Sequence, residues 1–337
     1  MSETDSGRGA LETVVSRQLD IEVPLICGAM YPCSNPELVA AVSEAGGMGI
    51  IQPLSLVYVY GHEFRQGLAE IRRLTAKPVG MNVVVERSAK VYKERMQSYV
   101  DVALEEGIRF FVTSLGNPRW VVDKVHQVGG LVYHDVTERK WADKAMEARV
   151  DGLIAVNDRA GGHAGAKGSA QLLDELGDLE IPLVCAGGVG DEAAFARALR
   201  AGYSAVQMGT RFIATPECRA SEDYKSAIVK AKAEDIVLTD RITGVPVSVI
   251  RTPYIDRVGT DAGPVARWLL KGRKTKHWMR MVYSLQALWS LKRSSVRPFS
   301  YRDYLQAGKS VEGVEAVEPA GLVVERFADA VVRGARA

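Results

Sequence analysis

The chain has 337 residues, 47% of them hydrophobic and 25% charged, with a formal net charge of +2. Those proportions are those of a soluble globular protein, long enough for one large domain or two ordinary ones and for a large core without disulfide staples. So small a net charge gives no global sign of nucleic-acid binding. The four cysteines, Cys27, Cys33, Cys185 and Cys218, form no CxxC pair, and no histidine stands at metal-ligand spacing. A reduced, cytoplasmic protein without a bound metal is therefore expected. The opening "MSETDSGRGA" lacks the apolar run of a signal peptide, and no stretch reaches the roughly eighteen apolar residues of a membrane span.

After a polar N-terminal tail (1–20), short apolar runs alternate with helical stretches. The predicted strands are "VPLICGAM" (23–30), "GMGIIQP" (47–53), "PVGMNVVV" (78–85), "RFFVTSL" (109–115), "LVYHDV" (131–136), "GLIAVN" (152–157), "PLVCAGG" (182–188) and "AVQMGTRFI" (205–213). Between them, "PELVAAVSEAGG" places Leu38, Val42 and Ala45 on one face and stops at glycine, and "KVYKERMQSYVDVALEEG" is amphipathic with a similar stop. "DEAAFARALRAG" begins at an acidic N-cap, Asp191, and again ends at glycine. The strands are continuously apolar, as when both faces are buried. Eight such strand–helix units over residues 21–234 predict an α/β fold, a (β/α)8 TIM barrel, in preference to an open doubly wound sheet. Beyond Lys232 the rhythm stops. Residues 235–318 read as a basic C-terminal appendage, mostly helical, with Met281, Val282, Leu285, Leu288 and Trp289 on one helical face. A last helix within 319–337 is expected to return to the barrel.

A TIM barrel carries its site at the C-terminal ends of its strands. There the sequence places "GAM" (Gly28, Ala29, Met30), Asn82, His134, Asp135, Asn157, the glycine-rich "RAGGHAG" with His163, "AGG" (Ala186, Gly187, Gly188) and "MGT" (Met208, Gly209, Thr210). Bare backbone after the seventh and eighth strands, beside a helix start, suits a phosphate. The competing view is that these glycines only make turns. Asn82 interrupts a buried strand with an amide, which costs about 1–3 kcal/mol unless paired. A ligand ring or a core hydrogen bond would supply its partner. His163 lies inside a glycine nest, where a base could face a ligand. His62, His126 and His277 read as surface or structural residues.

Taken together, "GAM", "ELVAAVSEAGGMG", "GMNV", "RAGGHAG", "CAGGVGDEAAFARALRAGYSAVQMGTRFIATPEC" and "RITGVP" resemble the nitronate monooxygenases, once called 2-nitropropane dioxygenases. These are FMN-dependent TIM-barrel enzymes, and the resemblance covers roughly residues 20–250. It implies FMN held by Gly28, Ala29, Met30, Asn82, Gly187, Gly188, Gly209 and Thr210, with His134, Asn157, Gly162, Ala186, Gln207 and Met208 completing the contacts. It also implies His163 as the base that removes the α-proton of a nitroalkane. Departures from the family pattern are Arg159 where a glutamate is frequent, "GAM" where "APM" is usual, and His134 where a lysine is often found.

The wider superfamily includes FMN-dependent enoyl-acyl-carrier-protein reductases and NAD(P)H:quinone reductases with much the same motifs. Two enzymatic readings follow for a small-molecule substrate. One is oxidation of nitronates or nitroalkanes with oxygen. The other is hydride transfer from NAD(P)H to an enoyl thioester or quinone. A flavin-binding sensor or scaffold is the non-enzymatic alternative. Residues 263–302 hold ten Lys/Arg and no Asp or Glu, leaving 33 basic against 41 acidic residues, net −8, in the rest. This segment reads as a cap or homodimer contact paired with acids elsewhere, or as a site for an anionic partner. No nucleic-acid motif accompanies it.

Overall fold

The computed structural model describes residues 9–85, 90–241, 246–261 and 304–335. Eight parallel strands close into a barrel in sequential order: β1 (Leu25–Cys27), β2 (Met48–Ile51), β3 (Val79–Val84), β4 (Phe110–Ser114), β5 (Leu131–Val136), β6 (Gly152–Val156), β7 (Leu183–Ala186) and β8 (Ala205–Met208). The expected (β/α)8 TIM barrel is present. Most predicted strands run past the observed ends, and 205–213 runs into a different element. Residues 209–213 leave the barrel, because Thr210–Ile213 turn into a short helix, with Gly209 as its N-cap.

Helix α1 (Val14–Leu19) occupies part of the predicted tail. A reciprocal cap between Thr13 and Ser16 starts it, and it plugs the N-terminal end of the barrel. Its Val15 and Leu19, with Ile21, join the inner core of Ile26, Met48, Ile50, Phe110, Val112, Tyr133, Ile154 and Val184. Tyr133 fills the lower lumen, meets Phe110 edge-on at 5.2 Å and donates its hydroxyl to Gln18 at 2.6 Å. Among the described residues the barrel floor is therefore packed solid.

The surrounding helices are α2 (Pro36–Glu44), α3 (Phe64–Leu74), α4 (Lys90–Glu105), α5 (Arg119–His126), α6 (Arg139–Glu147), α7 (Ser169–Leu176) and α8 (Glu192–Ala201). Each shows its local cause. In α3, Phe64, Gly67, Leu68 and Ile71 recur at helical spacing and are buried. In α8, the Asp191 carboxylate accepts from Ala194 N at 2.7 Å, and Gly202 ends the helix at φ +119°. Helix α2 lies so close to β2 that a Cβ on Gly49 would stand 2.1 Å from the Val39 carbonyl oxygen.

Beyond the barrel come α9 (Thr210–Ile213), α10 (Glu222–Lys230), an antiparallel pair β9 (Ile236–Thr239) and β10 (Val247–Ile250), and α11 (Pro253–Val258). Of the mostly helical appendage expected over 235–318, the basic run 263–302 lies outside the described residues. The last helix, α12 (Ala320–Gly334), buries Ala320, Val323, Val324, Phe327 and Val331 along one stripe. Phe327 meets Phe195 of α8 at 5.4 Å, and Arg326 bonds Glu192 at 3.0 Å. No described helix is long and apolar enough to cross a membrane.

Candidate active site at the barrel mouth

Register decides which strand-end side chains face the lumen. Side by side in the barrel, Asn82 pairs with Val112, Asp135 with Ile154, and Gln207 with Ile26 and Ala186. Those apolar partners belong to the inner core, so Asn82, Asp135 and Gln207 point inward. Gln52 follows β2 and accepts from Leu54 N and Ser55 N at 2.6 and 3.1 Å. The Asn82 amide donates to Val112 O at 3.3 Å, the core hydrogen bond weighed as one of its two roles. Above an apolar floor the lumen thus carries a polar layer. Burial pushes the Asp135 pKa up to about 7.

Three expected contacts have other geometry. His134 alternates with Tyr133 and Asp135 and pairs with the outer-core Leu153, so its side chain faces the helices. The Thr113 hydroxyl donates to Tyr133 O at 3.0 Å and sits 2.8 Å from His134 Nδ1. Who donates in that second contact follows the His134 tautomer, and His134 is neutral in this buried place. Burial lowers its pKa to about 4. Asn157 is buried, donates to Gly187 O at 2.9 Å and accepts from Arg159 N at 2.9 Å, so its amide ties two loops together. Met208 packs in the outer core, and only its carbonyl reaches the mouth side, accepting from Gly28 N at 2.9 Å.

Gly28, Ala29 and Met30 follow β1 at the mouth. Ala29 packs against the inner core, and a Cβ on Gly209 would come within 3.2 Å of Met30 Sδ. The loop after β7 is bare for two separate reasons. A Cβ at Gly187 would strike Asn157 Oδ1 at 2.3 Å, so the loop's own packing demands that glycine, as the turn-making view holds. Gly188 takes φ +75°, the left-handed region that favours glycine, and a Cβ there would first meet the Arg159 side chain at 2.9 Å. Ala186 is buried among the inner-core side chains. On the helix side of this loop, Arg159, Ser169, Leu173, Gly187, Gly188 and Arg197 border a cleft of about 570 Å³ between α7 and α8.

The loop after β6 carries His163. The side chain keeps exposed surface, yet protein crowding lowers its pKa. The loop is pinned from outside the barrel, since Ser248 N of β10 donates to Gly162 O at 2.8 Å. Residues 305–313 form a strap that motif reading missed. Gly308 N donates to Thr210 Oγ1 at 3.0 Å, Lys309 N to Arg159 O at 2.9 Å, and Ala307 N to Ser248 O at 3.3 Å. A Cβ at Gly190 would lie 2.0 Å from Ser310 O. Thr210 thus accepts from the strap and keeps its hydroxyl proton to donate. The glycines of "AGKSVEG" were the available signal, placed inside what reads as an appendage. Among the described residues, no group of three or more His, Cys, Asp or Glu could hold a metal.

The chain is similar to several known proteins. A Rhodococcus jostii protein named (3aS,4S,5R,7aS)-5-hydroxy-7a-methyl-1-oxo-octahydro-1H-indene-4-carboxyl-CoA dehydrogenase is 27% identical over 247 residues, 73% of this chain and 67% of its own. A probable nitronate monooxygenase of Staphylococcus saprophyticus is 28% identical over 291 residues, 74% of this chain and 81% of its own. FabK from Thermotoga maritima superposes with a TM-score of 0.79 at 28% identity, over 96% of this chain and 97% of that one. The family model described as nitronate monooxygenase matches residues 12–284, and the chain is an oxidoreductase belonging to that family.

Proposed function

We propose that the protein is an FMN-dependent oxidoreductase that oxidises nitronates or nitroalkanes with molecular oxygen. The observation that carries this reading is a crowded yet exposed His163 at the mouth of a barrel whose lumen holds two buried oxygens, Asp135 Oδ1 and Gln207 Oε1, without partners. Unpaired buried acceptors call for a donor, and a flavin ring offers one on its pyrimidine edge. The glycine backbone at Gly188 and Gly209, at the ends of β7 and β8, suits the phosphate end. The residues present therefore fit FMN.

In this reading Gly28, Ala29 and Met30 wall the ring, Asn82 and Gln207 meet its polar edge, and Gly188 and Gly209 hold the phosphate. FMN supplies the electron acceptor and the reaction with oxygen. His163, with its pKa lowered, is neutral near pH 7, the form in which an imidazole nitrogen can take a proton. That nitrogen removes the α-proton of a neutral nitroalkane, and the carbon–nitrogen unit keeps the electron pair as the nitronate. The packed floor keeps water from entering beneath the reacting atoms.

A second reading, reduction or dehydrogenation of an acyl thioester, is favoured by one specific observation. The ten basic residues of 263–302 would suit the phosphates of a coenzyme A or carrier-protein substrate, and the Rhodococcus relative is named as a CoA dehydrogenase. An anaerobic titration with NAD(P)H separates the two, beside turnover with nitroalkanes and nitronates. Slow or absent flavin bleaching with nitronate turnover supports the first reading. Rapid bleaching without nitronate turnover replaces it with the second.

A further inference from the structure

The two orphan oxygens of the lumen are unequal. Gln207 is neutral and its position is one the family resemblance already implicates. Asp135 is a carboxyl that no motif singles out. Its inward direction follows from β5 register, level with Ile154 of the inner core and two residues above Tyr133 on the same face. Its Oδ1 receives no hydrogen bond from any described residue. The other inward amides do not share this condition, because Asn82 bonds Val112 O and Gln52 bonds Leu54 N and Ser55 N. A buried acceptor without a partner costs about 1–3 kcal/mol, and more if charged, so its persistence calls for an explanation. Tyr133 and the α1 plug close the lumen below it, which leaves the mouth as the side from which a partner can come.

We propose that the Asp135 carboxyl contacts the flavin ring bound in the lumen and holds its reduction potential down. The inference rests on the FMN reading above. A carboxylate in a poorly solvated lumen repels added electrons on a neighbouring ring far more strongly than it would in water. Burial raises the Asp135 pKa to about 7, so the group carries its charge at about pH 8.

The test uses the FMN-loaded full-length protein with Asp135→Asn, Asp135→Ser and Asp135→Glu. Flavin content is measured first, then the midpoint potential against a reference dye at about pH 8. Asp135→Asn and Asp135→Ser should make two-electron reduction at least about tenfold more favourable, a rise of about 30 mV. Asp135→Glu should stay within about threefold of the wild type. The two neutral variants guard against one failing to fold, and a role in packing alone would not move the potential of a fully occupied site. Flavin-replete neutral variants within about threefold of the wild type overturn this inference and leave the FMN reading standing. A wild-type protein that retains no flavin after reconstitution overturns the FMN reading and this inference with it.

Discussion

Replacing Asp135 with asparagine should stabilise the flavin-free protein at neutral and alkaline pH. Asparagine keeps the shape and removes the charge. The carboxyl titrates at about 7 in the fold, against an ordinary value of 3.8, because burial penalises its ionised form. An acid with a raised folded pKa keeps its proton where the unfolded chain has released it. Stability is therefore lost as pH rises from about 4 to about 7, at up to about 1.4 kcal/mol per pH unit, and the loss is complete above that window. The full shift of roughly three units sets a ceiling of about 4 kcal/mol. The asparagine amide is itself polar and keeps part of the desolvation cost, so about 2–4 kcal/mol is the expected gain for the variant at pH 8. Urea denaturation of both proteins at several pH values between about 5 and 8 measures it, since every other titrating group is common to the pair and cancels in the difference. A stability difference that stays constant across that range would refute the claim that Asp135 is held in a poorly solvated lumen.

Replacing His163 with asparagine should leave FMN retention intact while slowing oxidation of neutral nitroalkanes by about 10²–10⁴-fold. Preformed nitronates should suffer less, and equal losses on both forms would remove His163 from the base role. Gly49→Ala should destabilise the fold by about 1–3 kcal/mol or more, because its Cβ would sit 2.1 Å from the Val39 carbonyl. A thermal melt checks this, and an unchanged Tm would mean that α2 is not seated on β2 as described. Charge reversal at Lys271, Arg273, Lys274 and Lys276 should raise the Michaelis constant for a thioester under the second reading, and added salt should mimic it. A change in oligomer size alone would make the segment structural.

The barrel was legible in the chain because its signal is local. Each strand is a short, wholly apolar run, each helix has a one-sided stripe, and glycine or an N-cap such as Asp191 marks the ends. The same locality made "GTRFI" look like more strand, although Gly209 turns the chain into a helix there. His163 stood out because an imidazole among glycines is unusual within a few residues. Which face a strand-end residue takes was not legible. His134 and Asp135 are neighbours in sequence, and one step along β5 separates the outer layer from the lumen. That choice depends on how all eight strands close on one another, as does the burial that raises the Asp135 pKa. The strap at 305–313 was hidden for a similar reason. Its glycines are required by Gly161, Gly190 and Asp191, which lie more than a hundred residues away in sequence and touch it only in the folded chain. Sequence by itself determined the layers, their order and the family resemblance, because propensity and pattern act over a few residues. Tertiary structure alone decided which polar groups share the lumen and which are consumed in packing, because those outcomes depend on contacts between distant parts of the chain.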